Sequence, residues 1–181
     1  MAVKDIMEDN KKKNSKLSIK DIALMGVMLA TIEGAKLAMS YLPNIELVTL
    51  LIILYALFFG RKIYYVMVGF ILIEGCIYGF GIWWFMYIYI WPILAILTNL
   101  FRKQTSVMFW SIFSGVYGLC YGALCAIVYI FISGPKGAIA WWVAGIPFDI
   151  IHCVSNFVLC LVLFVPLRKA MVLLKRRMYQ S

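Results

Sequence analysis

The sequence predicts an all-α integral membrane protein, a bundle of six transmembrane helices with both termini in the cytoplasm. Three observations lead there. Of 181 residues, 65% are hydrophobic and only 14% are charged, far from the average for soluble domains. The apolar residues gather into long runs, and about 20 apolar helical residues cross a bilayer core of roughly 30 Å. By that measure there are six spans, at about 21–41, 45–60, 62–82, 84–101, 106–133 and 138–166. The third observation is where the +9 net charge sits. Six lysines lie in residues 1–20, Arg61 and Lys62 follow span two, and Arg102 and Lys103 follow span four. Arg168, Lys169, Lys175, Arg176 and Arg177 follow span six, while loops 41–45 and 82–84 carry no basic residue and 133–138 only Lys136. Basic loops stay cytoplasmic, so this bias accounts for the charge and no nucleic-acid partner is expected.

The chain divides into a flexible basic cytoplasmic arm (1–18), a six-helix membrane domain (19–170) and a basic cytoplasmic tail (171–181). No cleavable signal peptide is expected, because residues 1–20 mix acids and lysines without a short apolar core. Span one carries Gly26, Ala30, Gly34 and Ala38 every four residues. Such rows let helices approach closely in lipid, either for a partner or for packing within the bundle. Glu33 and Lys36, three apart, form an internal ion pair or a ligand-facing charged edge. The loop Tyr41-Leu-Pro-Asn44-Ile-Glu46 puts a carboxylate at the mouth of span two, which is otherwise featureless scaffold.

Span three ends in Glu74-Gly-Cys-Ile-Tyr-Gly-Phe-Gly81. Glu74 lies roughly 18 Å along a helix starting at Lys62, at about 1.5 Å per residue, where an unpaired carboxylate is costly. The run Trp83 to Trp91, including Trp84, reads as a densely aromatic outer loop, and Trp141 and Trp142 form a second cluster on the same side. These rings serve as an interfacial belt or as a wall for a flat solute. Gly145 and Pro147 mark the entry to span six, which places Asp149 in its first turn. Asp149, His152 and Asn156 then share about a 60° arc of one face, which must meet protein, water or a ligand.

Several chemistries are excluded. There is no GxxxxGK[ST] loop, HExxH or GxSxG, and His152 is the sole histidine. The cysteines at 76, 120, 125, 153 and 160 read as small packing residues. No cofactor and no metal site is expected, and the carboxylates, scattered over four spans, suit a lining better than a catalytic dyad.

These features together resemble the substrate-binding S components of energy-coupling factor (ECF) vitamin transporters. The likeness is carried by the size and six-span topology, the Gly26/Ala30 row, which is similar to that family's AxxxA surface, and the Leu-Pro-Asn-Ile-Glu46 turn. The segment Gly145-Ile-Pro-Phe-Asp-Ile-Ile-His-Cys-Val-Ser-Asn-Phe157 with its trailing LVLFVPLRK completes it. The row begins with Gly26 where the family has alanine. The resemblance implies a subunit of the bacterial plasma membrane, itself no enzyme, that captures a vitamin or related micronutrient from outside. It implies delivery inward by docking through Gly26, Ala30 and Gly34 to a membrane coupling subunit with two ATPases.

The pocket is expected at the outer ends of spans one, three and six, with loops 41–46, 82–87 and 134–147 as lid and walls. Its candidate residues are Glu33, Lys36, Asn44, Glu46, Glu74, Trp84, Trp141, Asp149, His152 and Asn156. Several acids with few bases point to a ligand rich in donors or carrying positive charge. Two alternatives stand beside this reading: a small intramembrane enzyme or lipid-modifying protein using Asp149 and His152, and a scaffold without a ligand.

Overall fold

The computed structural model describes residues 17–179; the expectations for the basic arm over 1–16 and for residues 180–181 lie outside them. Among the described residues there is no strand. The chain forms α1 (Ile19–Ala38), α2 (Val48–Phe59), a 3-10 turn (Gly60–Lys62), α3 (Ile63–Tyr78), α4 (Ile82–Leu100), α5 (Val107–Leu119) and α6 (Tyr121–Tyr179). Three helical stretches, Val48–Tyr78, Ile82–Leu100 and Val107–Arg177, are long and apolar enough to cross a membrane, and they point to a membrane protein. The helix α1 is not among them, because it carries Lys20, Asp21, Glu33 and Lys36.

Local chemistry sets the ends of these helices. Ser18 caps α1: its hydroxyl accepts from the Asp21 amide at 3.1 Å, and the Asp21 carboxylate accepts from the Ser18 amide at 3.1 Å. This reciprocal capping box satisfies two otherwise orphaned donors. α1 buries Leu24, Met28 and Ile32 and leaves Gly26, Ala30, Gly34 and Ala38 exposed. Every residue of α2 is buried. A helix that is apolar all round belongs in the middle of a bundle, so the stretch expected to be featureless scaffold is the core that α1, α3, α4 and α6 surround.

Cross-helix contacts fix the chain direction. Asp21, at the start of α1, pairs with Lys62 at the start of α3, and Lys36, near the end of α1, pairs with Glu74 near the end of α3. The two helices run parallel, so α2 between them returns the opposite way through Gly60, whose φ of 55° suits glycine. α4 descends along α3, with Trp84 bonded to Ile71 and both Tyr87 and Trp91 against Phe70. Helical hydrogen bonding runs on from α5 into α6 through Cys120, which donates to Val116 at 3.0 Å and accepts from Leu124 at 2.9 Å.

α6 is broken at Gly134 (φ 73°, ψ 174°). The arm over 135–179 folds back on α5: a Cβ on Gly115 would meet Cys153, one on Gly118 would lie 2.8 Å from the His152 carbonyl oxygen, and one on Gly122 would strike the Asp149 carboxylate. Gly118 and Gly122, four apart, therefore contribute to internal packing. Gly118→Ala is expected to cost about 1–3 kcal/mol, the range for overfilling a tight contact, read as a lower thermal midpoint of the helical signal in detergent. An unchanged midpoint would show that the two segments are not so close.

Three expectations need correction here. The last helix does not begin at Gly145-Ile-Pro147. Gly134-Pro135 is the entry, Pro147 lies inside the helix, and Asp149 is well past the first turn. Positive φ at Gly134 breaks the helix, and Pro135 can start the next one, where its missing N–H has no partner to lose. Segment 135–147 is accordingly helical, not a loop, and so is 82–87, because α4 begins at Ile82 directly after Gly79–Gly81. Helix also continues past residue 170 to Tyr179.

Candidate functional site

The contacts that orient the helices also gather chemistry at one end of the bundle, opposite Asp21, Lys62 and Lys175. Between α1, α3, α4 and α6 lies a cavity of about 560 Å³, within the range typical of small-molecule sites. Its charged groups are Lys36 and Glu74, its rings Tyr78, Trp83, Tyr87, Tyr121, Tyr129 and Trp141, and Ile82, Met86 and Cys125 complete the lining.

Two aromatic ladders follow from helical spacing. On α4, Trp83, Tyr87 and Trp91 recur every four residues and meet edge to face at 5.3 and 5.4 Å. On α6, Tyr121, Cys125 and Tyr129 repeat the same spacing, and Tyr129 stacks on Trp141 at 4.6 Å and 23°. Residues four apart lie on one helix face, so each ladder presents a continuous wall.

The ion pair sits against these walls. The Lys36 ammonium pairs with Glu74 Oε2 and lies over the rings of Tyr78 (4.8 Å), Tyr87 (5.4 Å) and Trp83 (6.0 Å), within cation–π reach. Glu74 is 0% exposed. Glu33 lies beside it, close enough for the two carboxyl groups to share a hydrogen bond, and neither Oε1 meets any other donor. Lys36 thus reaches across to α3 and does not pair with its helical neighbour Glu33.

A second polar cluster stands behind the first. His152 Nε2 lies 3.2 Å from Glu46 Oε1, Glu46 Oε2 accepts from the Thr49 amide at 2.8 Å at the start of α2, and the His152 ring meets Tyr121 edge-on at 5.0 Å. Ser155 donates to the Asn44 carbonyl oxygen at 2.8 Å. Asn44 itself has φ 60°, a left-handed conformation that asparagine tolerates. Asp149 Oδ1 accepts from the Gly122 amide at 3.0 Å, and Asn156 is buried close to Gly118.

Of the residues expected from the sequence, the cavity brings together Lys36, Glu74 and Trp141, with Glu33 adjoining. Asn44, Glu46, Asp149, His152 and Asn156 gather in the cluster behind Tyr121. Trp84 points elsewhere: its indole donates to the Ile71 carbonyl oxygen at 2.8 Å, and its ring packs edge-on against Phe80 at 5.0 Å. Trp83 takes its place on the wall. Sequence reasoning missed Trp83, Tyr87, Tyr121 and Tyr129; the spacing 83–87–91 and 121–125–129 was the signal, hidden because the first run was taken for a loop. Among the described residues no group of three potential metal ligands converges. Comparisons with protein-family models, with curated proteins and with solved structures found no match.

Proposed function

We propose that the chain is the membrane-embedded binding subunit of an ECF-type transporter, taking up a vitamin-like micronutrient without hydrolysing ATP itself. The observation that carries this reading is the cavity of about 560 Å³ with rings on its walls and an ammonium–carboxylate pair at its side whose carboxylate is buried. Rings supply contact area and a few fixed polar groups supply orientation, the usual division in small-molecule sites. Six crossings with both termini cytoplasmic accord with the alternating helix directions: the cavity end carries few basic residues, and Arg61, Lys62 and Lys175 lie toward the other. On this reading the cavity opens outward in a bacterial plasma membrane.

The row on α1 supports the docking half of the proposal. Gly26, Ala30 and Gly34 are exposed, and a Cβ on either glycine would meet nothing within 4 Å. The small residues therefore contribute no packing inside the bundle and leave a shallow groove for a helix of the coupling subunit. Ala30→Leu is expected to block co-purification with a coupling subunit and its ATPases while changing ligand affinity less than about threefold, below the roughly 1.4 kcal/mol of a tenfold change. Assembly as in the wild type would remove the docking claim. The binding claim is tested separately, by whether the purified chain binds a vitamin-sized compound in the absence of ATP.

A further inference from the structure

Lys36 is the one cation among the residues lining the cavity, and only part of its bonding capacity is used. An ammonium carries three donors. Among the described residues its hydrogen-bond partner is Glu74 alone, while Tyr78, Tyr87 and Trp83 meet its charge with their rings. The Lys36 side chain is 28% exposed, so its remaining N–H groups can meet an occupant of the cavity. The acids are committed elsewhere. Glu33 and Glu74 bond to each other, Glu46 to His152 and the Thr49 amide, and Asp149 to the Gly122 amide; of these four only Glu74 lines the cavity. The donor-rich or cationic ligand that the count of acids suggested therefore has no acceptor set aside for it. Charge balance points the same way. An ionised carboxylate only accepts, so two carboxyl groups that bond to each other hold one proton between them. The pair carries one negative charge, and Lys36 balances it. An anionic occupant would meet an ammonium already neutralised by Glu74, and a cationic one would meet Lys36 across the same rings. Either would leave water for a site with no countercharge to give, which is costly.

We infer that the cavity takes an uncharged aromatic ring system with a carbonyl or ring-nitrogen acceptor on its edge, which bonds to the Lys36 ammonium while the rings lie between the aromatic walls. This rests on the proposed reading of the chain as a solute-binding subunit and narrows its ligand. The two ladders converge at depth, where Trp91 lies 5.9 Å from Tyr121 and the Tyr87 and Tyr121 hydroxyls bond to each other. Above that floor stand Trp83 on the α4 side and the stacked Tyr129–Trp141 pair on the α6 side. Rings on both sides favour an aromatic occupant, stacked or edge to face. The Lys36 donor fixes its orientation, since a hydrogen bond from an ionised donor is among the strong ones.

The test uses the full chain in lipid nanodiscs, with binding titrated by saturation-transfer NMR against empty nanodiscs. The probes are N-methylpyridone, which is uncharged and aromatic with a carbonyl acceptor and no N–H, its saturated counterpart N-methylpiperidone, benzoate and benzamidinium. The pyridone is expected to bind about tenfold more tightly than the piperidone, the worth of the aromatic contacts. It is expected to bind at least about tenfold more tightly than either ion, which must leave water without a countercharge. The Lys36→Met, Glu74→Gln double variant is expected to bind the pyridone roughly tenfold or more weakly, the worth of a hydrogen bond to a charged group. Benzoate or benzamidinium binding the wild type as tightly as the pyridone would overturn the inference, whatever the variant does. So would equal binding of the piperidone, or an unchanged pyridone affinity in the double variant. Mass spectrometry of a ligand retained through purification separates the two levels of the argument. A retained compound that is charged or has no aromatic ring overturns this inference and leaves the binding subunit standing. No retained compound, and no binding by these probes or across a broad micronutrient screen, overturns both.

Discussion

Glu74→Ala is expected to abolish measurable ligand binding and to destabilise the bundle by roughly 3 kcal/mol, the lower part of the range for breaking a buried ion pair. The lower part applies because the Lys36 side chain is 28% exposed and keeps some access to water or headgroups, whereas Glu74 has none. Removing the carboxylate strands the ammonium among Tyr78, Trp83 and Tyr87, whose faces offset only part of the lost partner. The double variant Lys36→Met, Glu74→Gln separates the two effects. Removing both charges together leaves neither one buried without its partner, so the thermal midpoint should return toward that of the wild type. Binding should not return, because the ion pair at the cavity wall is gone. Recovery of both would show that the pair acts only on the fold.

His152→Ala is the second large effect. It removes the contact to Glu46 and the edge-on contact to Tyr121, leaving the Glu46 carboxylate held by the Thr49 amide alone. Loss of a hydrogen bond to a charged group and of an aromatic contact together cost about 2–4 kcal/mol. Tyr121 lines the cavity, so ligand affinity should fall as well, although His152 is not among the lining residues. His152→Gln, which can still donate to Glu46, is expected to restore most of the stability. A residue acting as an acid or base in turnover would not be rescued by glutamine. Full loss of function in the glutamine variant, with normal stability and with turnover by the wild type in proteoliposomes, would instead favour the intramembrane enzyme using Asp149 and His152.

The helical class and the polar stripe were legible because each rests on a local rule. Runs of apolar residues imply helices in lipid, and Asp149, His152 and Asn156 share one face by spacing alone; all three are buried. What a buried side chain meets is a tertiary matter. An apolar helix such as Val48–Phe59 looks the same whether lipid or protein surrounds it, so nothing in its composition marked it as the centre. Lys36 had a carboxylate three residues away and chose one on another helix. Gly145-Ile-Pro147 and Gly134-Pro135 carry nearly the same breaking signal, and only backbone geometry separates them: Gly134 has positive φ and breaks the helix, while Pro147 is accommodated within it. The misplaced start of α4 had the widest consequence, since a loop has no faces. Once the helix begins at Ile82, Trp83 and Tyr87 fall on one side and Trp84 on another.

The small-residue row on α1 shows the converse case. The sequence left its role open between packing and docking, and exposure decides that it does not pack within the bundle. Gly118 and Gly122 on α5 and α6, four apart like the small residues of α1, are covered by the returning arm. Equal patterns thus serve different ends according to what the fold places opposite them.

The most direct measurement is native mass spectrometry of the full chain, purified from cells grown in rich medium and compared with the Lys36→Met, Glu74→Gln double variant. The proposed function predicts one small organic molecule per wild-type chain, retained without ATP or partner subunits and absent from the double variant. A wild-type chain that retains nothing and binds no compound in a broad micronutrient screen, while remaining folded, would contradict it.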